Sequence, residues 1–154
     1  MEGHARNRPY VVLDTNVFVA AGFNPRSRAA RIVEAIEAGR IRLAWNRPTW
    51  RETKHVISKI PPLDWERFAA LFRDEEAVEA ITVPEAFQII PDAEDRKFAA
   101  LSDVTGAPLI SNDRHLLDHR GELRIAVLTP GEFWDALQES SVSEDLSASR
   151  HRLE

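Results

Sequence analysis

Tyr10-Val11-Val12-Leu13-Asp14-Thr15-Asn16 is the stretch on which the reading of this chain turns. Four residues run without apolar/polar alternation, as they do in a strand buried on both faces. Asp14 then closes the run abruptly. Strands of this kind belong to parallel sheets covered by helices, and open sheets of that type carry their sites beyond the carboxyl ends of the strands. Asp14 stands at such an end.

Outward from this run, Val17 to Ala21 continues as a helix, with Gly22 and Asn24-Pro25 breaking the pattern. Ser27 caps a second helix whose face is Ala29, Ile32, Val33 and Ile36, and Gly39 stops it. Ile41 to Trp45 reads as a second strand. Asn46-Arg47-Pro48 opens a helix with proline near its first position, where the missing N–H costs little. That helix carries Glu52, Val56 and Ile57 and ends by Pro61-Pro62. Asp64 caps a further helix through Phe68, Leu71 and Phe72.

Val78 to Val83 is predicted as a third strand. A helix follows over Glu94 to Val104, closed by Gly106. Leu109-Ile110 is a fourth strand, Arg114 to Asp118 a helical turn, and Ile125 to Leu128 a fifth strand. Thr129-Pro130-Gly131-Glu132 forms a capping box that opens a last helix through Phe133, Trp134 and Leu137. Strands alternating with helices throughout predict an α/β fold with a mainly parallel sheet. Residues 1–8 read as a flexible leader, 9–138 as the folded domain, and 139–154 as a polar, serine-rich tail.

The chain has 154 residues, 44% hydrophobic and 29% charged, as expected of one soluble domain. No apolar run approaches the ~20 residues of a membrane span, and the start leads into no signal-peptide core, so a cytoplasmic location is expected. Cysteine is absent, which excludes disulfides, thiolate metal sites and a cysteine nucleophile. The formal net charge is −5. It hides local clusters: Arg26, Arg28 and Arg31 in one segment, and Arg47, Arg51, Lys54, His55 and Lys59 in another.

Four acids at the edges of separate apolar runs carry the chemistry: Asp14, Glu52, Asp95 and Asp113. Singly, each reads as a cap, a turn residue or a solvated helix position. Jointly they form a pattern, because Asp14 and Asp113 end central strands while Glu52 and Asp95 sit in the first turns of helices leaving the same rim. Carboxylates gathered at one rim repel one another and call for a cation, and oxygen-only ligands suit Mg²⁺ or Mn²⁺. Other chemistries lack support. His115 and His119 find no third ligand of matching type for zinc. No Gly-x-Ser-x-Gly elbow, phosphate loop or dinucleotide fingerprint occurs. A phosphatase using Asp14 as nucleophile would want a second aspartate where Asn16 stands.

Three segments give a specific resemblance: Val11-Val12-Leu13-Asp14-Thr15-Asn16-Val17-Phe18-Val19, Asp92-Ala93-Glu94-Asp95-Arg96-Lys97-Phe98, and Leu109-Ile110-Ser111-Asn112-Asp113-Arg114-His115. In order and separation they resemble PIN-domain proteins, and more narrowly the PIN toxins of prokaryotic toxin–antitoxin systems. The resemblance implies a three-layer α/β/α fold with a five-stranded parallel sheet and Mg²⁺- or Mn²⁺-dependent ribonuclease activity. It implies that Asp14, Glu52, Asp95 and Asp113 are the metal-binding and catalytic acids, supported by Thr15, Asn16 and Ser111. It also implies an RNA substrate, an antitoxin protein partner and a homodimer, for which a face around Phe68, Leu71 and Phe72 is one candidate and core packing the other reading. Two departures stand out: His115 replaces a further acid of the fourth motif, and Ala93 replaces a proline of the third. Asp92 then reads as a cap rather than a ligand.

Two ions between these acids would serve an in-line displacement, with Asp14 central and Glu52 holding the second ion or orienting the attacking water. Arg26, Arg28, Arg47, Arg51 and Lys54 are the candidates to track the phosphate backbone. Trp50 is a candidate to stack bases, and Trp45 reads as core. The alternative is a PIN-like domain that binds RNA or protein without cutting. It has no need to keep all four acids.

Overall fold

The computed structural model describes residues 8–140, so nearly all of the expected leader and tail lies outside the described residues. Strand β1 is Tyr10–Leu13, and helix α1 follows directly over Thr15–Phe23. Helix α2 spans Arg28–Glu37, strand β2 Arg42–Leu43, and helix α3 Arg47–Ser58. A short helix α4 covers Trp65–Ala69, and 3₁₀ turns lie at Asp74–Glu76 and Pro84–Phe87. Helix α5 is Arg96–Thr105, strand β3 Leu109–Ile110, and helix α6 Arg114–Asp118. A 3₁₀ turn at Arg120–Glu122 leads to strand β4, Val127–Leu128. Helix α7 begins at residue 130 and continues to residue 140.

The strands form one parallel sheet in the order β2-β1-β3-β4. Period-two alternation in β1 sorts its side chains to opposite faces. Val11 and Leu13 join a core with Phe18, Ile32, Ile36, Phe68 and Phe133. Val12 joins a second core with Phe98, Leu101, Leu109, Leu116 and Val127. Helices therefore cover both faces, and β1, flanked by β2 and β3, has both edges paired.

Local signals set the element ends. Ser27 Oγ accepts from Ala30 N at the start of α2 (3.1 Å). Asn46 and Thr49 exchange side-chain and backbone hydrogen bonds at the start of α3. Thr129 and Glu132 do the same at α7 (3.0 and 2.9 Å). Gly106 ends α5 with φ +74°, in the left-handed region that favours glycine. Gly22 does not end α1. A Cβ there would come within 2.5 Å of Leu63, so this glycine admits the α4 side of the molecule rather than breaking the helix.

One strand expectation is overturned: the sheet has four strands, not five. The segment from Val78 to Val83 forms no strand, and only Ala77 makes an isolated parallel bridge, to Trp45. The partner backbone runs out there, because Asn46 immediately begins α3. Ile81 and Val83 are left exposed. The expected apolar face around Phe68, Leu71 and Phe72 is core: Phe68 and Leu71 are buried, and Phe72 stacks on Phe18 with ring centroids 5.7 Å apart. Among the described residues no helix is long and apolar enough to cross a membrane.

Ile110 is wholly buried and pairs with Leu13 across the β1–β3 seam. Ile110→Ala is expected to lower the unfolding free energy by about 2–4 kcal/mol, read as a reduced urea midpoint at unchanged slope.

Candidate metal centre

The sheet order reverses between β1 and β3: from β1 the chain leads to β2 on one side and to β3 and β4 on the other. A crevice opens at such a switch point, beyond the carboxyl ends of the two strands. Asp14 follows β1 immediately and Asp113 lies three residues beyond β3. Asp95 arrives from a third direction, at the N-terminus of α5, which packs against β1. One carboxylate oxygen from each of Asp14, Asp95 and Asp113 lies within 4.8 Å of the others.

Neutral donors hold this cluster in place. Ser111 Oγ donates to Asp14 Oδ2 at 2.7 Å and accepts from Asp113 N at 3.0 Å. Asn16 Nδ2 donates to the same Asp14 oxygen at 3.3 Å, while its Oδ1 accepts from Asn112 N at 3.1 Å. Ser111 and Asn16 thus lace the loop after β3 to the start of α1. Thr15 contributes its backbone and its hydroxyl in different directions. Its hydroxyl pairs with Thr53 of α3 at 3.0 Å, both groups buried, and so couples α1 to α3 rather than bonding Asp14. The N–H groups of Thr15 and Asn16 favour the charged carboxylate of Asp14 without making a capping bond to it.

Asp113 has two roles. Its Oδ1 caps α6 by accepting from His115 N at 2.8 Å, and the same carboxyl group belongs to the cluster. Asp92 lies outside the cluster, and its Oδ1 accepts from Glu94 N at 2.9 Å. Glu52 lies outside it as well. Its Oε2 is 3.5 Å from Lys97 Nζ, and Lys97 also pairs with Glu94. Lys97 carries no expected role from its spacing, although the i,i+3 pair with Glu94 was readable in principle. Thr53 was equally unassigned. The spacing Thr49, Thr53, Ile57 marks the buried stripe of α3 that contains it.

The electrostatics of the cluster are unbalanced. Burial, and then the nearby Asp113 charge, push Asp14 up to about 6 against the hydrogen bond from Ser111. Burial, and then the charges of Asp14, Asp92 and Asp113, push Asp95 up to about 7. Among the described residues, these three carboxyl groups have no ion-paired basic side chain. Their all-oxygen donor set and mutual repulsion fit a hard divalent cation, which Asp14, Asp95 and Asp113 are placed to hold.

Beside the cluster, Asn112 opens onto a cleft of about 300 Å³ whose other walls include Ser27, Arg28, Thr129 and Gly131. Arg28 is half exposed there, 3.4 Å from Asp135. Arg26, Arg47, Arg51 and Lys54 are exposed. Lys54 Nζ lies 5.0 Å from the centre of the Trp50 ring, and Trp50 packs edge-on to Trp65. Trp45 is half-buried, its Nε1 donating to Arg73 O at 2.8 Å.

A family model of the PIN domain matches residues 10–115. The chain belongs to the PIN-domain family. Two solved structures share the fold. FitAcB from Neisseria gonorrhoeae is 16% identical, with 78% of this chain and 97% of that chain covered at a TM-score of 0.50. PAE2754 from Pyrobaculum aerophilum is 17% identical, with 86% and 90% covered at a TM-score of 0.57. Among curated protein sequences none matches at a significant level. In this PIN domain the acidic cluster lies inside or at the edge of the matched segment, since Asp14, Asp95 and Asp113 all fall within residues 10–115.

The raised values of Asp14 and Asp95 set the sign of the pH dependence. A carboxyl group held above its ordinary value favours the folded state when protonated, and that contribution is lost as pH rises through the folded value. Without divalent metal, the unfolding temperature is therefore expected to fall between about pH 4 and about pH 7 and to level off above that, with Mn²⁺ restoring it at the upper end. Asp14→Asn should flatten this profile and stabilise the metal-free protein by on the order of 2–3 kcal/mol at about pH 8, because Asp14 is almost wholly buried. It should also abolish the Mn²⁺ effect. Thermal unfolding with and without Mn²⁺ checks both.

Proposed function

We propose that this PIN domain is a Mg²⁺- or Mn²⁺-dependent endoribonuclease, the toxin of a toxin–antitoxin pair. The observation that carries the reading is the convergence of Asp14, Asp95 and Asp113 at the switch point of a parallel sheet. When bound, a divalent ion supplies Lewis-acid stabilisation of the phosphoryl charge. The protein's own groups do the rest. Asp14, Asp95 and Asp113 hold the cation, Ser111 and Asn16 keep the Asp14 carboxylate oriented, and Glu52 is the candidate to orient the attacking water or hold a second ion.

Substrate approach follows from charge. Three carboxylates repel a polyanion, so RNA engages only the metal-loaded protein. Arg26, Arg28, Arg47, Arg51 and Lys54 contact phosphates around the acidic centre, and Arg28 does so in the cleft beside Asn112. Contacts of this kind position the strand and give salt-dependent affinity with little sequence preference. A small antitoxin that covers the acidic cleft keeps the enzyme silent in the cytoplasm, and the toxin acts as a homodimer. Retention of all four acids argues against a binding-only domain.

Cleavage of a mixed RNA pool tests the reading. Wild-type protein should cut with Mn²⁺ or Mg²⁺ and not after chelation. Asp14→Asn and Asp113→Asn should each lose at least about 100-fold in rate, the loss of several kcal/mol of charge stabilisation. Undiminished cutting by both variants overturns the assignment.

A further inference from the structure

Lys97 is the only basic side chain ion-paired with any of the four candidate acids among the described residues. It rises from α5, the helix that presents Asp95, and its ammonium hydrogen-bonds Glu94 just before that helix while lying 3.5 Å from Glu52 Oε2 on α3. Lys97 and Glu52 are each only 21% exposed, so their attraction is less screened than that of an ordinary surface pair. Neighbouring Arg96 takes no part, because its Nε donates to Ile90 O at 2.9 Å. Among the described residues, then, the three aspartates converge with no ion-paired base, while Glu52, outside their cluster, has one.

Resting on the functional reading above, we propose that Lys97 is a positioning residue whose ammonium occupies Glu52 and so limits the resting centre to one divalent ion, held by Asp14, Asp95 and Asp113. A second ion at Glu52 must displace a unit positive charge from that carboxylate. The competition is electrostatic, and the low exposure of both side chains keeps it from being fully screened by solvent. Lys97 suits this role because its ammonium is a compact charge on a flexible stem that can withdraw.

The test is Mn²⁺ binding to the full chain, with free Mn²⁺ followed by electron paramagnetic resonance and heat of binding by calorimetry. Wild type is expected to bind one Mn²⁺ per chain with high affinity. Lys97→Met should gain a second ion, with affinity at least about tenfold above any second site of wild type. Lys97→Arg should behave as wild type. Lys97→Met combined with Glu52→Gln should lose the gain, which locates the second ion at Glu52. Circular dichroism verifies that each variant is folded, and Lys97→Gln replaces Lys97→Met should the latter fail to fold. A merely structural i,i+3 role for Lys97 would shift the unfolding temperature and leave the stoichiometry alone. The inference is overturned by unchanged Mn²⁺ binding in Lys97→Met, by a gain that survives Glu52→Gln, or by two equally tight ions in wild type. Those outcomes leave the nuclease reading standing. Wild-type protein that binds no Mn²⁺ overturns both.

Discussion

The structure depends on a carboxylate placed where little solvent reaches it. Asp14 is buried at the end of a strand that is itself covered on both faces. A charge so placed needs partners, and an isolated one would sooner take up a proton. The partners that hydrogen-bond it, Ser111 and Asn16, are neutral. Two further carboxyl groups then approach from α5 and from the loop after β3. Packing alone would never assemble this arrangement, since every nearby charge makes it worse. It is stable as a fold only because the rest of the molecule supplies the free energy, and a cation changes its sign from liability to attraction.

The strand order explains how three distant segments reach one point. With β1 between β2 and β3, every chain leaving a carboxyl end must turn away over one face or the other. Asp14 and Asp113 flank the gap this leaves, and α5 aims its N-terminus into the same region. Ser111 and Asn16 fasten the two loops by backbone as well as side-chain bonds, so the positions of Asp14 and Asp113 are linked. Thr15 and Thr53 tie α1 to α3 underneath.

Much of this arrangement was legible in the residues. The unbroken run before Asp14, the caps at Ser27, Asn46 and Thr129, and the left-handed turn at Gly106 are local, and local chemistry decides them. The segment from Val78 to Val83 misled because β-branched composition reports only that a strand is tolerable. Whether one forms depends on an available edge, and the edge at Trp45 ends with the first turn of α3. Gly22 misled for a related reason, since its purpose is the close approach of Leu63, not a turn. At the candidate site, the proximity of Asp14, Asp95 and Asp113 followed from strand ends and helix starts. The pairing of Glu52 with Lys97 did not, because it arises from how α3 and α5 lie against each other. Thr53 stayed hidden for the same cause.

The bond between Ser111 and Asp14 joins residues 97 positions apart. Asn16 donates to the same oxygen locally, but the shorter bond arrives only with the distant loop, and Ser111 is itself seated by a backbone bond to Leu128 at 2.9 Å. During synthesis at about 5–20 residues per second, the emerging polypeptide therefore passes several seconds before Ser111 can reach Asp14. A nascent or prematurely terminated chain lacks the constellation altogether. Whatever chemistry the finished molecule performs must wait until translation has passed the last strand.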